Sequence, residues 1–111
     1  MSYDEDLAQR VRDVVLGEPG LTERRMFGGL AFLVNGNMAV AASHEGGLLL
    51  RVPPERTEEL LGDPDAHEFT MRGDTPMTGW LRVRPDHLDD DAVLERWTDV
   101  GVTYARSLPP K

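Results

Sequence analysis

Leu30-Ala31-Phe32-Leu33-Val34-Asn35-Gly36-Asn37-Met38-Ala39-Val40-Ala41-Ala42 is the stretch on which the fold turns. Two apolar runs flank an Asn-Gly pair, and a type I′ turn needs positive φ at both central residues, which asparagine and glycine adopt at low cost. Residues 30–34 and 38–42 are therefore predicted as the two strands of a β-hairpin. Working back toward the N-terminus, the pattern from Thr22 is short enough for another strand. Ahead of it Leu7, Val11, Val14 and Val15 share one helical face, with Glu5, Asp6, Gln9, Arg10 and Arg12 turned out and Gly17 and Pro19 stopping the helix.

Working forward, Gly46-Gly47 makes a turn, and residues 48–52 form an apolar strand that ends at Pro53-Pro54, because proline cannot donate to a ladder. Pro54 fits the first turn of a short helix over 55–61, with Leu60 and Leu61 as its apolar contacts and Gly62 as its stop. A turn-rich segment at 62–66 leads to a strand near 68–71, a loop at 72–76, and a strand over 78–84 that Pro85 ends. Val93, Trp97, Val100 and Tyr104 then mark an amphipathic helix over 89–107, with Asp89, Asp90 and Asp91 at its positive end and Arg106 at its negative end. The order helix, four strands, helix, two strands, helix, with short connections, predicts an α+β two-layer sandwich with an antiparallel sheet.

The 111 residues suit one domain, 1–111, with a core over about 7–104. Twelve basic against twenty acidic residues give a net charge of -8, which repels phosphate backbones, so autonomous nucleic-acid binding is not expected. Absence of cysteine removes disulfides, thiolate metal sites and thiol nucleophiles. The acidic N-terminus is unlike a signal peptide and no apolar run reaches the length of a membrane span, so a cytoplasmic protein is expected. Eleven of the twelve basic residues are arginine, a skew that codon usage explains without a functional role.

Chemistry-bearing spacings are sparse. His44, His67 and His87 are far apart and fit exposed loops better than a metal site, so neither metal nor cofactor is expected. Asp86, Asp89, Asp90 and Asp91 lack the alternation and turn glycine of a calcium loop and read as helix capping. Ser43 and His44 are adjacent, hence on opposite sides of a strand, which argues against a serine nucleophile. Gly28-Gly29 and Gly46-Gly47 are too few for a nucleotide-binding loop. No poised nucleophile, base and orienter occur together, and an enzyme is not expected.

One constellation stands out. With Leu81 and Val83 facing the core, Trp80, Arg82 and Arg84 share the other face of their strand, and by the same parity Arg51 joins them from residues 48–52. Tryptophan and arginine are enriched at interface hot spots, so these four residues are the candidate partner face. Their arginines also suit a carboxylate or phosphate, which makes a small-ligand or anion-binding domain, with residues 73–79 as its lid, the second reading. Residues 30–34 are apolar on both faces although one helix layer covers only one, so a second copy or a partner protein is expected to cover the other.

Arg25-Met26-Phe27-Gly28-Gly29, then Asn35-Gly36-Asn37-Met38-Ala39, Leu48-Leu49-Leu50-Arg51-Val52, and Phe69-Thr70 with Pro76-Met77-Thr78-Gly79-Trp80 occur in an order that resembles the N-terminal domain of the TfoX/Sxy family. The resemblance covers about residues 7–104. It implies an antiparallel α+β domain and a regulatory protein of the bacterial cytoplasm, since the family is named for competence activators that act with a cyclic-AMP-responsive transcription activator. It also implies a partner such as that activator or a polymerase component, and it supplies no catalytic residues. The competence regulators carry a second, C-terminal helical domain, for which 111 residues leave no room, so a stand-alone N-terminal domain is expected. Within the motif, Phe27 is expected in the core, Gly28 and Gly29 at a tight turn or close approach, and Met26, Met38 and Met77 as adaptable packing.

Overall fold

The computed structural model describes residues 4–26, 28–43, 46–70 and 76–110. Elements follow the predicted order: α1 (Glu5–Val14), β1 (Leu21–Met26), β2 (Gly29–Val34), β3 (Asn37–Ala42), β4 (Leu48–Arg51), a 3-10 turn (Pro54–Arg56), α2 (Thr57–Leu61), β5 (Ala66–Thr70), β6 (Pro76–Val83), a second 3-10 turn (Pro85–His87) and α3 (Asp91–Ser107). Six strands form one antiparallel sheet in the order β1-β2-β3-β4-β6-β5. The first four are sequential neighbours. The chain then passes through α2 to the far edge at β5 and returns as β6, which fills the place beside β4.

The central hairpin is as predicted. Asn35 and Gly36 hold φ of 53° and 84°, the positive pair that a type I′ turn requires. One irregularity follows it: Phe32 pairs with Val40 but Leu33 with Met38, so Ala39 is an extra residue, a β-bulge. Both Ala39 and Val40 join the core on the helix side, together with Leu30, Phe32, Val34, Ala42, Leu48, Leu50, Leu81 and Val83. Helices α1 and α3 cover this face with Leu7, Ala8, Val11, Leu94, Trp97, Val102 and Ala105.

Helix α3 differs from expectation in its buried stripe. Leu94, Trp97, Thr98, Gly101, Val102 and Ala105 face the sheet, while Val93, Val100 and Tyr104 are half-buried at its flank. The reason is at Gly101, where a Cβ would stand 2.5 Å from the carbonyl oxygen of Ala39 and 2.7 Å from Cγ1 of Val40. The helix approaches the bulged strand most closely where it has no side chain, so small residues lie at the contact line and larger apolar ones are displaced from it. Asp90 caps the helix by accepting from the Ala92 N–H at 2.8 Å, and Asp4 caps α1 in the same way. Predicted helix 55–61 is split: Pro54 opens a 3-10 turn, and the α-helical part is Thr57–Leu61.

Candidate functional site

The sheet face away from α1 and α3 is apolar at its centre rather than basic and wet. Ala31, Leu33, Met38, Ala41 and Leu49 form a second cluster, each no more than 7% exposed, with Met26, Phe69 and Trp80 packed at its margin. A single copy of the chain already takes these side chains out of water, so the double apolar character of residues 30–34 needs no second molecule to account for it.

At the margin the predicted residues appear, but spread along the sheet. Arg51 and Trp80 are direct cross-strand partners of β4 and β6. The Arg51 guanidinium carbon lies 5.9 Å from the Trp80 ring centre and 5.6 Å from that of Tyr104, which α3 presents from its C-terminal half. No carboxylate among the described residues pairs with Arg51, so its donors are braced between two aromatic rings with their hydrogen-bonding capacity open. Phe69 leans on the same tryptophan at 6.3 Å between ring centres. Arg82 stands opposite Leu49 and donates from Nη2 to the Gly46 carbonyl at 3.2 Å, tying β6 to the turn before β4. Arg84 is exposed beyond the end of β6. At about 3.3 Å per residue, Trp80 and Arg84 are roughly 13 Å apart along the strand. Arg51 and Trp80 thus make one unit, and Arg82 and Arg84 lie progressively further from it. Tyr104 is the member that sequence reading missed, because its place beside Arg51 depends on how α3 crosses the sheet.

The motif residues have structural placements. Met26 ends β1 opposite Gly29 and packs on the second apolar cluster, while Arg25, opposite Leu30, is exposed. Gly28 has φ of 75°, and a Cβ on Gly29 would run into the carbonyl oxygen of Ala42, so a turn and a close approach hold these two positions as glycine. Pro76 opens β6 opposite Thr70. Phe27, His44, the loop at 71–75 and the side chains of Pro76 and Met77 lie outside the described residues.

A family model, the TfoX N-terminal domain, matches residues 15–105. The chain belongs to the TfoX N-terminal domain family. No curated protein and no solved structure matches it. The match takes in every strand, α2 and all but the last two residues of α3, so both faces of the sheet belong to the TfoX N-terminal domain. The TfoX N-terminal domain is not a known enzyme family. Among the described residues of this TfoX domain, no helix is long and apolar enough to cross a membrane.

A polar cluster closes the other end of the TfoX domain, and here the expectation of exposed loop histidines is corrected. His67 lies in β5 and His87 in the turn before α3, both half-buried, with ring centres 6.1 Å apart. Twenty residues separate them, but β6 returns beside β5 and delivers His87 to its neighbour. Asp65 joins the two segments to α3: one carboxylate oxygen lies 2.8 Å from Nδ1 of His87, and the other accepts from the Trp97 indole at 3.4 Å. Asp63, two residues before, accepts the Asp65 backbone N–H at 2.9 Å and pairs with Arg96 at 2.5 Å. The backbone N–H, with Arg96 assisting, holds its carboxyl below the usual range. This arrangement ties the β5 turn to α3. Among the described residues it does not gather three ligands for a metal.

Proposed function

We propose that this TfoX N-terminal domain is a non-enzymatic regulatory module of the cytoplasm that acts by binding another protein through the sheet margin at Arg51 and Trp80. The observation that carries this reading is the half-buried tryptophan with a guanidinium braced beside it that pairs with no carboxylate among the described residues. Aromatic and arginine side chains fixed by their own neighbours lose little entropy on docking, which is why they dominate interface energetics. Arg82 and Arg84 extend the contact along β6 as its polar rim.

The family supports a partner in transcription control, either a cyclic-AMP-responsive activator or a component of RNA polymerase, and self-association through the same margin is compatible with it. The test is direct binding of the purified domain to the activator and to the polymerase of the source cell, measured by calorimetry at near-physiological salt. Trp80→Ala is expected to weaken the complex by more than ~2 kcal/mol, which is about 30-fold. Unchanged affinity in a folded Trp80→Ala variant removes this margin from consideration, and absence of binding to either protein removes the proposed partners.

A further inference from the structure

Five arginines pair with carboxylates among the described residues, and Arg82 bonds the Gly46 carbonyl. Arg24, Arg25 and Arg84 are exposed, where water serves their donors. Arg51 differs from all of these: it is half-buried, it is held between the Trp80 and Tyr104 rings at 5.9 and 5.6 Å, and no carboxylate among the described residues pairs with it. Aromatic faces attract the charge but do not satisfy five N–H donors, and withdrawing such donors from water without acceptors costs free energy. Tyr104 also walls a concavity of about 340 Å³ between the turn after β4 and α3, where Pro53, Val100 and Thr103 supply further surface. Arg56 reaches the same concavity with its charge taken by Glu59 at 2.9 Å. Asp99, a further lining residue, precedes Tyr104 by roughly 7.5 Å along the helix axis and pairs with no cation among the described residues.

We infer that Arg51 and this concavity together take a segment of a partner protein that presents one Asp or Glu carboxylate to the guanidinium and a neighbouring aliphatic side chain to the concavity. The inference rests on the partner-binding reading above and specifies the partner's chemistry at that site. A carboxylate matches the guanidinium fork with two parallel hydrogen bonds and supplies the acceptors that the rings lack. Because two rings already hold the guanidinium, it gives up little freedom when it docks. Beside it, Pro53, Val100 and the Tyr104 ring offer apolar surface to a side chain of leucine size. Charge sets the limit. Asp99 in the same wall and the net charge of -8 repel further acidic groups, so a single carboxylate flanked by apolar residues fits, and a run of acids or a phosphate of about two charges does not.

The test is an NMR titration of the full chain at fixed ionic strength with the peptide acetyl-Ala-Glu-Leu-Leu-Ala-amide, followed at the Arg51 side-chain Nε–H and at the amides of residues 51–56 and 99–107. Saturable shifts at both groups of resonances are expected. Replacing the glutamate of the peptide by glutamine, or its leucines by serine, should each weaken binding about 10-fold, as should Arg51→Gln in the protein. Thr103→Glu, at an exposed position in the concavity, should weaken it to a similar extent by repelling the carboxylate, with the fold left intact. The inference is overturned if the peptide does not saturate, if the glutamine or serine peptide binds as tightly, if both protein variants bind like the parent, or if inorganic phosphate reproduces the same shifts. The partner-binding reading fails separately. Activator or polymerase binding that is lost in Trp80→Ala but unchanged in Arg51→Gln overturns the carboxylate assignment alone, and peptide saturation without binding to either protein removes those partners alone.

Discussion

The two faces of the sheet carry apolar clusters of different construction. On the helix side, Phe32, Val40, Leu48, Leu50 and Leu81 meet Trp97, all essentially without exposure, and α3 fits so closely that Gly101 has no room for a Cβ. On the opposite side the buried centre includes alanines at 31 and 41, and the large aromatic groups Phe69 and Trp80 stand half-buried at the edge. A side chain surrounded on every side contributes its full transfer and dispersion energy to folding. One at a margin contributes part of it and keeps the remainder for a partner. The helix side therefore carries the larger share of the domain's stability, and the margin of the other side is the surface proposed for recognition.

Substitutions at the two tryptophans put that contrast to its strongest test. Trp97→Ala removes a fully buried ring and the indole donor to Asp65, and should lower the unfolding free energy by about 3–5 kcal/mol in urea denaturation. Trp80→Ala should cost only about 1–2 kcal/mol by the same measurement, because the ring is already partly in water. Equal losses would mean that Trp80 is a core residue and would move the recognition surface elsewhere.

Acid titration sharpens the comparison at a smaller scale. The Asp63 carboxyl is held low by the Asp65 N–H and by Arg96, and Glu23 is held low by hydrogen bonding to Arg12. A carboxyl with a lowered folded value binds its proton more weakly in the folded than in the unfolded chain. Its stabilisation is present above the ordinary carboxylate range and is lost as pH falls through the lowered value. Stability should decline below about pH 4, and the Asp63→Asn variant should show a shallower decline in acid denaturation followed by circular dichroism. Both groups lie on the helix side of the molecule, so the Arg51 margin should keep its binding contribution unless the whole domain unfolds.

Much of this architecture was legible in residue order. Asn35-Gly36 set the hairpin, Pro53-Pro54 ended β4, and Asp90 stood where a helix needs its cap. The apolar stripe of α3 was read one step out of phase, because counting large apolar residues ignores that Thr98 and Gly101 occupy the tightest contact. Strand parity put Arg51 and Trp80 on the same sheet face, and the register of β4 with β6 makes them direct neighbours there. It could not find Tyr104, or the shared site of His67 and His87.

Those limits have a common physical origin. Secondary structure, turn type and the face a side chain occupies are set by covalent geometry and by local periodicity, so the sequence by itself determined the elements, their order and the membership of each sheet face. Contacts between elements depend on strand order and on the angle at which helices cross the sheet, and both are decided by the packing of the whole core. Only the tertiary structure placed β6 between β4 and β5, and with it Trp80 directly across from Arg51.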